Sequence, residues 1–425
     1  MRHTVRLLVA LAALSVAGPT LAQHGVRELP TKLPPMANKD RPAAPADTVE
    51  TVVELDQTPG NLAATPLGRV FASMHPFGAP AIRVVELRAE GGAIAYPSPG
   101  WAGDVGPNGL GIASIIGIRA DSKGILWMLD AGPLGGDSAT EPKSFPKLIA
   151  WDTNTDRLVR VIHLPPPSSS RASFLQDFAI DEARDCIYIA DCGIGLGQDN
   201  AKPGIVVVYL KSGVSRRVLE NAECVRPEAD AAMVIDGREV KTAGPDGKPT
   251  VARVGINPIV IDDANEWVYF GSMHGTTVYR IKAAALATPG MTDELLVEAV
   301  EKYSSKPVSD GMGIDAAGNL YITDLPGNAI AVVEAASAPG PDGLRAHRTL
   351  IADPKLSWPD SVLVGPDGHL WIVANQLHRH PALNWSDDGP KNDIVPPFTI
   401  LRTRSLGVPN TSVDGSAPAK PAEAR

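Results

Sequence analysis

Cysteine is scarce in this chain, with Cys186, Cys192 and Cys224 the only three in 425 residues. An odd count excludes a fully paired disulfide framework. Cys186 and Cys192 stand six residues apart on what reads as one strand, about 20 Å if extended and too far to bridge. A bridge from Cys224 to either of them, or three buried thiols, both remain open. Long apolar runs are missing as well: no stretch approaches the roughly 20 residues a membrane helix needs, so no membrane span is expected. Positive charge is short, with a formal net charge of −9 and no basic stripe, which excludes a nucleic-acid backbone as partner. There is no Walker loop, no Gly-x-Ser-x-Gly elbow, no His-Glu-x-x-His and no Cys-x-x-Cys, so the mechanisms those motifs carry have no support.

What is present begins with Arg2 and Arg6, an apolar run over residues 7–17, and then Gly-Pro-Thr-Leu-Ala. That is the order of a secretory signal, with cleavage expected after Ala22. Residues 1–22 are read as the signal peptide and the mature protein as secreted or periplasmic. Its charge would be −11, since the signal holds two arginines and no acid. Residues 23–46 and 406–425, rich in Pro, Ala and Ser, are read as a disordered linker and a disordered tail.

Gly and Pro together make 79 of the 425 residues and punctuate the whole length, which calls for many short strands joined by turns. One unit recurs six times: an apolar strand, an Asp-x-x-Gly-like turn, then a strand opening on an aliphatic-aromatic pair. Its aromatic positions are Phe71, Trp127, Tyr188, Tyr269, Tyr321 and Trp371, spaced 56, 61, 81, 52 and 50 residues apart. Periods of that size suit four-stranded blades, so residues 47–405 are read as an all-β, six-bladed β-propeller. The long third interval contains Gly244-Pro245-Asp246-Gly247, an extra outer hairpin before blade four. The last blade is one strand short, and residues 49–55 can complete it, closing the ring and removing a free edge.

The first strand of each blade lines the axis, so equal positions in the repeats form a ring. Eleven residues before the aromatic stand Asp177, Asp310 and Asp360, and twelve before Tyr269, where the turn is one residue longer, stands Asn257. The second strands end near the same face, bringing up Asp130, Asp191, Asp324 and Asn375 with the two Ser-Met-His runs that close on His75 and His274. Two carboxylates about 8 Å apart repel by roughly 2 kcal/mol at an effective dielectric near 20. A cationic ligand, a divalent ion or a retained proton would each relieve that repulsion. Asp177, Asn257, Asp310, Asp360, His75 and His274 are therefore the candidate ligand-binding residues. The alternative for each Asp is a strand-start cap on backbone N–H groups.

In order along the chain, GRVFASMHPFGAPAIRVVEL, YPSPGW, GILWMLDAG, CIYIADCG, GIVVVYL and LSWPDSVLVGPDGHLWIVANQL resemble the signature stretches of the major royal jelly/yellow protein family. The resemblance spans roughly residues 56–405 and implies a secreted six-bladed propeller. In that family some members are linked to dopachrome conversion and others bind biogenic amines at the channel mouth. A more distant resemblance is to the gluconolactonase/senescence-marker family, where Ser309-Asp310-Gly311-Met312 and Ile256-Asn257-Pro258 match two metal-binding runs. It implies a Ca2+ or Zn2+ ion on Asn257 and Asp310 and a lactonase-like hydrolysis. The first-blade Glu of that family is replaced by Pro59-Gly60-Asn61. Two functions follow: binding, or isomerisation, of a small polar or cationic molecule at the channel mouth, and metal-dependent hydrolysis. A scaffold without a ligand is the third.

Overall fold

The structure is a computed structural model that describes residues 47–88, 91–106, 109–133, 145–170, 172–193, 202–244 and 246–407. All of these lie in one compact unit, Pro34–Arg425. The expected signal peptide, the linker and all but two residues of the tail fall outside them.

Six four-stranded antiparallel sheets follow one another along the chain. Blade one runs Pro59–Ala64, Val70–Met74, Val84–Leu87 and Ala93–Ala95, and blade two Ile115–Ala120, Ile125–Asp130, Lys147–Asp152 and Arg157–His163. Blade three is Leu175–Asp181, Cys186–Asp191, Gly204–Tyr209 and Ser215–Val218, and blade four Ile256–Ile261, Trp267–Ser272, Thr277–Lys282 and Glu301–Ser305. Blade five is Met312–Ile314, Leu320–Asp324, Ala329–Val333 and Arg348–Ala352. Blade six takes Pro359–Val364, His369–Ala374 and Phe398–Arg404, and its outer strand is Glu50–Leu55 from the other end of the chain. Glu50 also grips Arg402 of the neighbouring strand, Nη2 to Oε2 at 2.8 Å, with the arginine side chain buried. The ring thus closes as a six-bladed propeller with the expected strand, and its two chain ends pair with each other instead of leaving a free edge.

The recurring turn has a local cause. In blade two Asp121 Oδ1 accepts the amides of Lys123 and Ile125 while its Oδ2 accepts Trp127 Nε1. Asp315 does the same for Ala317, Asn319 and the Tyr321 hydroxyl, and Asp367 for His369 and Trp371. Each carboxylate satisfies the turn and anchors the aromatic that wedges between blades. Burial falls outward. First strands such as Leu175–Asp181 are buried almost throughout, while the fourth strand Arg157–His163 is mostly exposed. The long third interval holds two hairpins, Val234–Ile235 with Arg238–Glu239 and Lys241–Ala243 with Pro249–Val251. Blade four also carries two short helices, Ala283–Ala287 and Asp293–Ala299, between its outer strands. Cys186, Cys192 and Cys224 are all free, buried thiols.

Near the axis the inner strands crowd. A Cβ on Gly311 would lie 2.4 Å from the Asp360 carbonyl oxygen of the next blade, and backbone cannot step aside. Gly311→Ala is expected to lose about 2–3 kcal/mol, read as a drop in the midpoint of denaturant unfolding at unchanged slope. Equal midpoints would show that the blades are free to part there.

Candidate functional site

Just after the start of five first strands the ladder slips by a bulge, between Pro59 and Leu62, Ile115 and Ile118, Leu175 and Phe178, Ile256 and Ile259, and Pro359 and Val362. Two residues of the first strand lie inside each bulge, outside the regular ladder. Pairing fixes which ones are equivalent. Leu363 faces Trp371, Gly313 faces Tyr321 and Val260 faces Tyr269, so Asp360, Asp310 and Asn257 share one level. In blade three Ala179 faces Tyr188, which puts Gln176 on that level and Asp177 one residue further along. The count of eleven slips there because the blade-three turn, like that of blade four, has an extra residue. Neither turn has a glycine; each uses a left-handed residue, Asp185 at φ 51° and Asn265 at φ 55°.

All six candidate residues are buried. The Asn257 amide Nδ2 donates to Asp310 Oδ1, and Trp358 Nε1 donates to Asp310 Oδ2 at 2.7 Å. Asn375 Nδ2 donates to Asp360 Oδ2 and to the Pro59 carbonyl. Asp177 is tied differently: Arg119 Nη2 reaches its Oδ2 at 2.6 Å, and Asn61 Nδ2 its Oδ1 at 3.4 Å. Arg119 also donates to the carbonyls of Phe178 and Ile259, so one guanidinium links blades two, three and four beside the acids. Burial pushes Asp310 up to about 7, against the Trp358 and Asn257 hydrogen bonds and with help from the Asp177 charge. Asp360 is raised well above the usual carboxylate range by burial and then by Asp310. Asp177 is raised by burial in spite of Arg119.

Above Asp310 lies a narrow cavity of about 30 Å³, room for one or two waters, lined by His75, Phe77, Phe174, Gln176, Cys192, His274 and Trp358 among others. Asp177, Asn257 and Asp360 are not on its wall. Val240 and Leu383 are shared with a wider polar vestibule of about 290 Å³ that carries Asp236, Arg238, His378 and Asp393. The histidines come from opposite blades and reach the same cavity. Both are neutral: burial lowers each to about 3, aided by His380 for His75 and by Arg253 and Lys306 for His274. The segment after blade six's second strand covers the cavity, with His380 stacked on Phe77 and His378 parallel to Trp358.

Other acids at the second-strand ends do structural work. Asp130 accepts the amides of Ala113, Ser114 and Gly132 and pairs with Lys147. Asp191 accepts those of Phe174 and Gly193 and pairs with Arg217. The strand-start cap considered for the axial acids is made by these two and by Asp177, whose Oδ1 accepts the Phe178 amide at 2.8 Å, whereas Asp310 and Asp360 accept side-chain N–H groups. Three important residues escape reading from the pattern: Arg119, Gln176 and Trp358. Trp358 is buried at φ 55°, a left-handed conformation costly for a bulky side chain, and it is held there while binding Asp310.

A divalent ion on Asn257 and Asp310 can be tested against this geometry. The two residues meet as donor and acceptor, both Asp310 oxygens already accept an N–H, and no group of three His, Cys, Asp or Glu converges as a cation site among the described residues. The arrangement does not fit a divalent cation.

Comparison with known proteins adds the lineage. The profile of the family described as Major royal jelly protein matches residues 113–387. Major royal jelly protein 1 of Apis mellifera is 22% identical over 227 residues, 52% of this chain and 49% of that protein. Protein yellow of Drosophila subobscura is 32% identical over 107 residues, 24% of this chain and 19% of that protein. The chain thus spans about half or less of the length of the curated relatives it matches. Among solved structures, a luciferin-regenerating enzyme superposes with a TM-score of 0.51 at 11% identity, covering 85% of this chain and 96% of that one, a likeness of fold alone.

Proposed function

Because the chain belongs to the major royal jelly protein family, we propose that it is an exported ligand-binding propeller whose channel mouth takes one small cationic molecule against Asp310. The observation that carries this reading is the imbalance of charge at the starts of the innermost strands. Asp177, Asp310 and Asp360 are all buried, and only Asp177 has an ion-pair partner among the described residues. A buried carboxylate without a cation is costly, so it keeps a proton or acquires a positive guest. The cavity wall above Asp310 offers Phe77, Phe174 and Trp358, aromatic faces that favour an organic cation. Because the cavity is narrow, such a guest enters by displacing Phe77 or the covering residues 377–383 from the side of the vestibule. A carboxyl group that titrates near neutrality also supports an isomerase step, since it can take up and return a proton at one site.

Calorimetry with 2-phenylethylamine and its uncharged carbon isostere, propylbenzene, tests the reading. The amine is expected to bind at pH 8 and the isostere far more weakly, with Asp310→Asn costing the amine about 30-fold or more and the isostere little. Below pH 7 the amine must expel the Asp310 proton, so its affinity should fall by about tenfold per pH unit. Equal affinities for amine and isostere would sink the proposal. So would stoichiometric calcium or zinc that is lost in Asp310→Ala, which would return the metal hydrolase.

A further inference from the structure

One buried polar atom of a residue in the cavity lining has no partner. His274 is fully buried, its Nδ1 accepts the Val254 amide at 3.0 Å, and its Nε2 makes no hydrogen bond. A backbone amide only donates, so Nδ1 is bare, and an imidazole with a bare Nδ1 carries its hydrogen on Nε2. The lining therefore holds a buried N–H with nothing to receive it. His75, on the opposite blade, is set in the same way by the Phe77 amide at 3.2 Å.

The surroundings reinforce this polarity. Arg253, held by the carbonyls of Glu228 and Ala231, is the chief charge acting on the His274 ring; Lys306, held by the Pro307 carbonyl and Ser309 Oγ, adds to it where it is protonated, burial having lowered it to about 7. Neither has a carboxylate at ion-pair distance among the described residues. Asp310, on the wall of the same cavity, is acidic. The cavity thus has one pole that receives hydrogen or positive charge and another that offers hydrogen next to positive charge.

We infer that His274 selects the ligand by an acceptor oxygen: the bound molecule carries, besides the group facing Asp310, a carbonyl, ether, phenolic or anionic oxygen that takes the Nε2 hydrogen of His274. This rests on the reading of the cavity as a ligand site and adds the second half of the ligand's chemistry. A molecule with an ammonium at both ends is selected against, because its second charge would meet an N–H next to the Arg253 guanidinium.

The test compares 4-methoxyphenethylamine with 4-ethylphenethylamine, which differ by an oxygen in place of a methylene. The whole chain should bind the methoxy compound at least about tenfold more tightly, since a site built around a hydrogen bond rejects the analogue that lacks it. His274→Leu should erase that preference and leave the ethyl compound within about threefold of wild type. His274→Gln, whose amide keeps an N–H, should retain part of the preference and guards against a misfolded leucine variant. In 15N-histidine spectra the free protein should show the His274 proton on Nε2, shifted by the methoxy compound alone.

Equal affinities for the pair, a preference that survives in His274→Leu, or a proton on Nδ1 would each overturn the inference. If Asp310→Asn leaves both affinities unchanged while the oxygen preference still needs His274, the cation reading fails and this one stands. If binding depends on Asp310 but shows no oxygen preference, the cation reading stands and this one fails. If neither amine binds, acetophenone serves as the probe: a shift of the His274 proton supports the inference alone, and no shift overturns both.

Discussion

Asp310→Asn should be more stable than the wild type at pH 7 and above, and the advantage should vanish as the pH is lowered toward 4. Burial raises the Asp310 carboxyl from 3.8 to about 7 in the folded protein. Between those values the folded state holds a proton that the unfolded state has released, so the contribution of this group to stability is complete below 3.8 and is lost as pH rises through 7. A shift of that size corresponds to on the order of 4 kcal/mol at its limit. Asparagine is uncharged at every pH, and the hydrogen bonds can survive the exchange. Its Oδ1 still accepts from Trp358 Nε1, and a turned Asn257 amide can offer its oxygen to the new N–H. The measurement is urea unfolding of both proteins at half-unit steps from pH 4 to 8, with chelator present to hold any adventitious cation constant. The quantity to follow is the difference between the proteins, because other groups titrate in the same window. Parallel curves would mean that Asp310 is an ordinary ionised carboxylate, and the charge imbalance behind the proposed function would go with it.

How much of the site is legible in the sequence depends on turn chemistry. Six hairpins stand out because the turn and the aromatic after it recur together, and in four of them a turn acid anchors the aromatic, Asp121 to Trp127, Asp181 to Tyr188, Asp315 to Tyr321 and Asp367 to Trp371, a coupling that leaves a periodic trace. The closing strand Glu50–Leu55 is legible for a similar reason, since blade six runs out of chain. The axial level is readable only where turn length is known. Asp310 and Asp360 precede turns that hold Gly318 and Gly368, whereas the glycine-free turn at Asp185 displaces the count and puts Asp177 in the place of Gln176. A missing glycine in the repeat is the available signal. Arg119 and Trp358 leave no such trace. Arg119 reads as one polar residue in an apolar strand, and its acceptors lie 58, 59 and 140 residues away. Trp358 stands in a loop, and its role depends on a left-handed backbone that no local pattern demands. Packing across the axis is a long-range property, and periodicity does not carry it.

His75→Asn and His274→Asn should each protect the protein from acid. Both histidines are lowered from 6.5 to about 3, chiefly by burial, so between those values the unfolded chain binds a proton that the folded protein refuses. Their contribution is complete above 6.5 and is lost as pH falls toward 3, the opposite sign to that of Asp310. Each shift corresponds to on the order of 5 kcal/mol at its limit. Asparagine keeps an acceptor near the position of Nδ1, where the amides of Phe77 and Val254 donate, and removes the titration. Over the shared window the acids favour low pH and the imidazoles favour high pH, so the wild type should change little while its variants diverge. With both histidines replaced, stability should decline as pH rises from 4 to 7. With Asp310 replaced and the histidines intact, it should climb over the same range. Two single-histidine variants whose pH profiles run parallel to the wild type would show that these rings are not held neutral. The bare Nδ1 that places a hydrogen on Nε2 of His274 would then have to be abandoned as well.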